Sequence, residues 1–469
     1  MNNDDIAFAP IHQLAALVAT RKLDPVALVE LYLDRIARFD GALHSYVEVM
    51  REEALRRAKA CATALKDGLP LGRLHGVPIA VKDLCDIEGR VSGAGSRRRC
   101  GIRAAVTAPV IQRLIAAGAV LLGKTHMVEF AFGAWGTNAV LGTPRNPWDD
   151  RSHRVPGGSS SGSGVAVAAG LAGAAIGSDT GGSVRIPASL CGIVGLKTTH
   201  GRITTEGVVP LSRSLDTIGP MTRCVRDAAL LFEVLADDYA AGRPNPSDGG
   251  LERGVAGLRL GVPYMTQLDE IDGSVAATFQ AACESLRSLG ARVDEVEFPL
   301  AYFGSAPEMQ IIISAEGYAA NSSFVDSSGP ALDPHVRARL LRGKAIPAAE
   351  YIRARERQRM HRAEIQSFLQ DFTAVLTPTT AIPAATLEEV DEESTTMARL
   401  TRPVNYLGLC ALALPCGFCS RGLPISLQII AAPGHEETVL RVGRAYEAAT
   451  NWQRRPRLDR FSAVGDKSR

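Results

Sequence analysis

Two residue types in this chain stand where a nucleophile and its base could stand. Ser183 follows Thr180-Gly181-Gly182, whose successive N–H groups carry almost no side chain, the requirement for stabilising an oxyanion. None of the nine histidines lies close in sequence to this run, so a serine–histidine pairing has no local support. Lys82 is the other candidate base, ending the apolar run Leu74-His75-Gly76-Val77-Pro78-Ile79-Ala80-Val81. An ordinary lysine has a pKa of about 10.4, so neutrality at pH 7 costs roughly 4–5 kcal/mol. Burial among apolar neighbours and serine hydroxyls can supply that shift, which makes a lysine-based serine hydrolase physically allowed. A lone lysine ending a strand is more often a salt-bridge partner, and spacing in the sequence does not separate the two roles. A second pattern, Gly158-Ser159-Ser160-Ser161-Gly162, has the G-x-S-x-G form of a nucleophile elbow centred on Ser160. An elbow needs a preceding strand, and Arg151-Ser152-His153-Arg154-Val155-Pro156 is polar and ends in proline. Read as a P-loop, the same Gly/Ser segment has no Gly-Lys-Ser/Thr following it.

These residues must be held by the elements around them. From Val155 to His200 the chain is dense in Gly and Ser yet filled with Ala, Val, Ile and Leu, unlike a flexible linker. Gly157 to Gly164 reads as a loop, Val165 to Leu171 as a buried helix of small residues, and Gly177 to Gly182 as a turn presenting Ser183. The first 66 residues read as helical, with Asp24-Pro25 as N-cap and first turn, Gly41 as a stop, and a second helix over Glu52 to Leu65. Helices near 108–117, 225–236, 346–372 and 436–450 alternate with short strands at 119–122, 258–263, 291–293, 376–380 and 424–431. Such alternation predicts an α/β fold. The composition shift at 240–257 marks a weak internal boundary.

At 469 residues, 46% hydrophobic and 22% charged, with formal net charge +2, the chain is an ordinary globular protein without a nucleic-acid-binding stripe. Nine cysteines without regular spacing make no disulfide framework, and Cys416 and Cys419 lack the partners of a zinc site. The N-terminus shows no signal peptide, and no apolar run approaches the roughly 20 residues of a membrane span. A cytoplasmic protein is expected, with neither membrane nor nucleic-acid partner.

Three separated motifs, GVPIAVKD (Gly76 to Asp83), PGGSSSGSG (Pro156 to Gly164) and GSDTGGSVRIPASLCGIVGLK (Gly177 to Lys197), resemble the amidase signature family. The resemblance covers most of the chain, as far as Leu423 to Pro433. It implies a large twisted mixed β-sheet covered by helices on both faces, with residues 1–66 as a helical segment packed on a core of 67–469, effectively one large domain. It also implies a Ser–cis-Ser–Lys triad. Ser183 would be the nucleophile, Ser159 the bridging serine on a cis peptide after Gly158, and Lys82 the general base. Backbone N–H groups of Thr180, Gly181, Gly182 and Ser183 would form the oxyanion hole. Asp179, Arg185 and Ser160 would support the loop. No metal or organic cofactor is required.

The expected activity is hydrolysis of the C–N bond of a small-molecule amide, whether carboxamide, anilide, carbamate or urea, with a homodimer allowed. Met127, Phe130, Phe132 and Trp135 are candidate pocket walls, as are 308–324 and 376–380; buried packing is the competing reading for each. Two other functions compete. The family's glutaminase subunit of tRNA-dependent amidotransferases carries an Asp-x-x-Thr before its Pro-Ala-Asn segment. Here the match reads Ala398-Arg399-Leu400-Thr401-Arg402-Pro403-Val404-Asn405, and Ala398 cannot bind an ammonium group. A non-catalytic binding protein on the same fold would have lost Ser183, Ser159 or Lys82, and all three are present. Two departures from the family pattern, Ser161 for a glycine and Thr198-Thr199-His200 after Lys197, leave the triad intact.

Overall fold

The computed structural model describes residues 2–237, 250–268, 270–452 and 454–462. Most of the composition shift expected as an internal boundary, 240–249, lies outside the described residues. The described chain builds one mixed sheet in the order β1-β3-β2-β4-β6-β5-β10-β11-β9-β7-β8. In chain order the strands are β1 (Tyr46–Val49), β2 (Pro78–Lys82), β3 (Val120–Thr125), β4 (Ala174–Asp179), β5 (Val194–Lys197) and β6 (Thr217–Thr222). They continue with β7 (Arg259–Pro263), β8 (Arg292–Val296), β9 (Ala374–Pro378), β10 (Cys410–Phe418) and β11 (Pro424–Ala431). Parallel pairing joins β2 to β3 and β4 and joins β7 to β8 and β9, while antiparallel pairs link the strands from β4 across to β9.

Side chains of a strand alternate between faces, and here alternate residues enter two different apolar layers. Ile79 and Val81 of β2 join one layer and Ala80 the other; Leu121 of β3 parts in the same way from Val120 and Leu122. The first layer is capped by the helices Pro109–Ala116, Val225–Leu235 and Glu436–Ala449. The second is capped by Pro25–Leu43 and Ser161–Ala168. The sheet is thus covered on both faces, as the sequence predicts.

Three details differ from the sequence reading. Residues 1–66 are not purely helical: Tyr46–Val49 pairs antiparallel with β3 and forms the sheet edge. The helix capped by Asp24, whose carboxylate accepts from Val26 N and Ala27 N, runs through Gly41 and ends only at His44 in the left-handed region (φ 56°). Gly177 to Asp179 are strand, not turn. Ala-Ala-Ile-Gly-Ser has little β propensity, but this central strand lies between layers that leave no room for more, since a Cβ on Gly177 would stand 2.9 Å from both Met221 Sδ and Ser160 Oγ.

All nine cysteines are unpaired, and only Cys100 is exposed. Among the described residues no helix is long and apolar enough to cross a membrane.

Candidate active site

Parallel pairing of β2 with β4 brings their C-terminal ends side by side, the usual place for ligands in open α/β sheets. Lys82 closes β2 and Asp179 closes β4. Between them the helix Ser161–Ala168 starts, delivering Ser159 and Ser160 from the loop before it. The Gly158–Ser159 peptide is cis.

Lys82 is fully buried, and its Nζ lies 2.8 Å from both Ser159 Oγ and Ser178 Oγ. Burial drives its pKa down from 10.5 to about 7, because the aspartates Asp179 and Asp216 are near enough to attract the ammonium but too weakly to offset desolvation. The amine is therefore substantially neutral at physiological pH, and its nearest polar partners are hydroxyls. Ser183 is nearly buried, lines a cleft, and its backbone carbonyl accepts from Ser160 N at 3.2 Å. Its hydroxyl makes no hydrogen bond among the described residues and faces the cleft. Ser160 Oγ is spent on the backbone of Ser178, at 3.2 Å from its oxygen, so Ser160 is a bracket between the two serine-bearing segments.

The loop from Asp179 to Arg185 is held by a fully buried ion pair. Asp179 Oδ1 accepts from Gly182 N at 2.7 Å, and Oδ2 from Val184 N at 3.1 Å. Arg185 donates to both oxygens, at 3.0 and 2.9 Å. Burial alone would raise the Asp179 pKa, yet the Arg185 charge and its hydrogen bonds outweigh it and hold the carboxyl well below the usual range. The rest of the guanidinium is satisfied by Thr401 O, Gln428 Oε1 and Asn405 Oδ1. One correction to the expected oxyanion donors follows. The Gly182 N–H already belongs to Asp179, whereas those of Thr180, Gly181 and Ser183 have no acceptor among the described residues. Thr180 is in turn tied by its hydroxyl to Asp216 Oδ1 at 2.5 Å.

The cleft over Ser183 encloses about 100 Å³. Phe132 and Trp135 line it, but Met127 and Phe130 do not. Phe130 turns into the core against Phe324, ring centres 5.8 Å apart, and Met127 is fully buried. From 308–324 only Gln310 and Ile313 reach the cleft, and 376–380 does not, being occupied by strand β9 and its pairing. Sequence reasoning gave no role to Ser178, although it lies inside the third motif, nor to Asp216 and Arg402; they reach the site through pairing of β4 with β6 and through the short helix Arg402–Tyr406.

A group of His12, Cys224 and Asp227 has the spacing of metal ligands. Asp227 is already engaged, accepting from Ile11 N (2.7 Å) and His12 N (3.0 Å) at the start of the helix Ile11–Ala19.

With this geometry, residues 27–440 match the family model described as Amidase. The chain belongs to the amidase family. Among its relatives, this amidase is 38% identical over 448 residues to 2-amino-5-chloromuconic acid deaminase of Comamonas testosteroni, covering 92% of this chain and 94% of that one. It is 37% identical over 478 residues to a glutamyl-tRNA(Gln) amidotransferase subunit of Chloroflexus aurantiacus, covering 94% and 97%. A crystal structure of an amidase superimposes with TM-score 0.86 at 35% identity, over 94% of this chain and 100% of that one. The amidase is thus a hydrolase of carbon–nitrogen bonds in small amides, built on the mixed sheet described above.

Proposed function

We propose that this amidase hydrolyses a small amide through an acyl-enzyme on Ser183, with Ser159 as proton bridge and Lys82 as base. The observation that carries the reading is the fully buried Lys82 amine, its pKa lowered by that burial, resting on Ser159. Ser183 attacks the carbonyl carbon while its proton passes through the Ser159 hydroxyl to Lys82. The Ser183 hydroxyl, free toward the cleft, joins this relay as the substrate closes over it, since catalytic hydrogen bonds tighten in the occupied site. Negative charge on the tetrahedral oxygen falls to the free N–H groups of Thr180, Gly181 and Ser183, fixed in advance by the Asp179–Arg185 pair. The protonated Lys82 returns its proton along the same path to the departing nitrogen, the C–N bond breaks, and water repeats the sequence to release the acid.

A compact cleft suits a small acyl group, with Phe132 and Trp135 as its apolar edge. Nine unpaired cysteines suit a reducing, cytoplasmic setting. The test is hydrolysis of a panel of alkyl amides, anilides, carbamates, ureas and the aminomuconic acid named by the deaminase relative. Ser183→Ala is the blank, and labelling by a fluorophosphonate at Ser183 is the direct readout. No labelling and no turnover would leave a binding protein on an enzyme fold.

A glutaminase role within a larger assembly has the amidotransferase relative in its favour. Against it stands Ala398, which lines the cleft where an ammonium-reading carboxylate would be needed. Glutaminase activity or co-purification with partner subunits would restore it.

A further inference from the structure

Five charged side chains line the cleft over Ser183 among the described residues: Arg339, Arg342, Arg402, Glu392 and Glu393. Four of them cancel. Arg339 donates to Glu392 Oε2 at 2.7 Å and to Phe132 O at 2.8 Å, and Arg342 donates to Glu393 Oε2 at 2.6 Å. Arg402 is left over, with neither an acceptor nor a carboxylate partner among the described residues.

Its placement is not that of a surface side chain. Arg402 is partly buried and opens the short helix Arg402–Tyr406. The residue before it, Thr401, donates its hydroxyl to Gly181 O at 2.8 Å and accepts from Arg185 on its carbonyl at 3.0 Å. The Arg402 stem runs beside Gly181, where an added Cβ would lie 3.4 Å from its Cγ. The backbone is therefore pinned to the loop that presents Ser183, while the guanidinium is uncommitted. Desolvation and the neighbouring Arg339 lower its pKa to about 10, which leaves it charged at neutral pH. A cation partly withdrawn from water gains from an anion that joins it, so the folded protein holds a position that a ligand anion can satisfy.

We propose that Arg402 reads a carboxylate on the substrate, so that the physiological amide bears a single carboxylate and no neighbouring ammonium group. This deepens, and rests on, the assignment of the cleft as the acyl-transfer site. A guanidinium fork matches a planar carboxylate with two parallel hydrogen bonds. One uncompensated positive charge balances a monoanion, whereas a phosphate dianion would leave charge buried. An ammonium group finds no unpaired carboxylate among the described cleft residues, because both cleft glutamates are already paired and Ala398 is apolar.

The test compares amides that differ only in the charged group. Succinamate, with its carboxylate on the acyl side, is set against neutral 4-oxopentanamide. N-acetylglycine, with its carboxylate on the amine side, is set against neutral N-acetylaminoacetone. The expected result is a 10- to 100-fold preference in kcat/KM, about the contribution of a hydrogen bond to a charged group, for the acid member of at least one pair. In Arg402→Leu that ratio falls toward one, chiefly through KM, and in Arg402→Glu the cationic 4-aminobutanamide becomes the better substrate. Binding separates this reading from the nucleophile assignment. Calorimetric titration of Ser183→Ala with the same pairs needs no turnover, and its acid preference should vanish in Ser183→Ala/Arg402→Leu. Equal affinity for acid and neutral members in Ser183→Ala, or a preference that survives loss of Arg402, overturns the proposal.

Discussion

Gly182 passes so close to Thr401 that a Cβ on the glycine would sit 2.2 Å from the threonine Oγ1. The glycine also has φ +129°, a backbone region that side chains rarely adopt. Gly182→Ala must therefore move the loop that presents Ser183. We expect a fall in kcat of about 10²-fold or more, the scale of a lost oxyanion donor, with a smaller change in KM. Steady-state kinetics alongside a thermal melt separate this from unfolding, and full activity in Gly182→Ala would refute the loop's role.

Removal of the proposed nucleophile should give the largest effect. Ser183→Ala should lose about 10⁴-fold or more in kcat and all fluorophosphonate labelling, while its circular dichroism stays that of the parent. Ser159→Ala should lose activity on the same scale, since it leaves Lys82 without its link to the nucleophile. Retained turnover in either variant, read as ammonia release, contradicts the relay.

The pH profile reports the base directly. With Lys82 titrating near 7, kcat/KM should rise with pH through that value and level off above it, because only the neutral amine accepts the Ser183 proton. The same shift acts on stability. The unfolded chain binds this proton up to about 10.4 and the folded one only up to about 7, so this group adds stability as pH climbs between those values. Lys82→Met should be inactive and should lack that slope in urea melts from pH 6 to 10. A profile flat from pH 5 to 9 would count against a lysine base.

Breaking the buried pair should cost fold and function together. Arg185→Met leaves Asp179 charged and buried without its paired cation, a loss of about 3–5 kcal/mol, measured as a lower urea midpoint. Because Arg185 holds the Asp179 pKa below that of the unfolded chain, the pair stabilises the fold above the usual carboxylate pKa and loses that contribution as the solution is acidified below it. The gap between parent and variant should thus narrow in acid. A variant as stable as the parent at neutral pH would show the pair to be dispensable.

Much of this site was legible in the chain because it is carried by backbone-determined features. A run of glycines before Ser183, a lysine ending an apolar strand and a small-residue helix between two serine segments announce close packing around a reactive group whatever the tertiary detail. The same local logic predicted the helix after Asp24-Pro25 and the strand at 424–431. Aromatic proximity misled for Phe130 and Met127, since four residues of one short segment cannot all face the same cleft.

The sequence by itself determined which residue types stand where amide hydrolysis would need them and that an α/β sheet would carry them, because side-chain type and hydrophobic period are local properties. Only the tertiary structure decided that the Lys82 amine is sealed from water, that Asp179 consumes the Gly182 N–H, and that Arg402 alone among the cleft charges lacks a partner among the described residues. Burial, hydrogen-bond competition and charge balance are sums over neighbours drawn from distant parts of the chain, and those neighbours exist only once β2, β4, β6 and the helix Arg402–Tyr406 have come together.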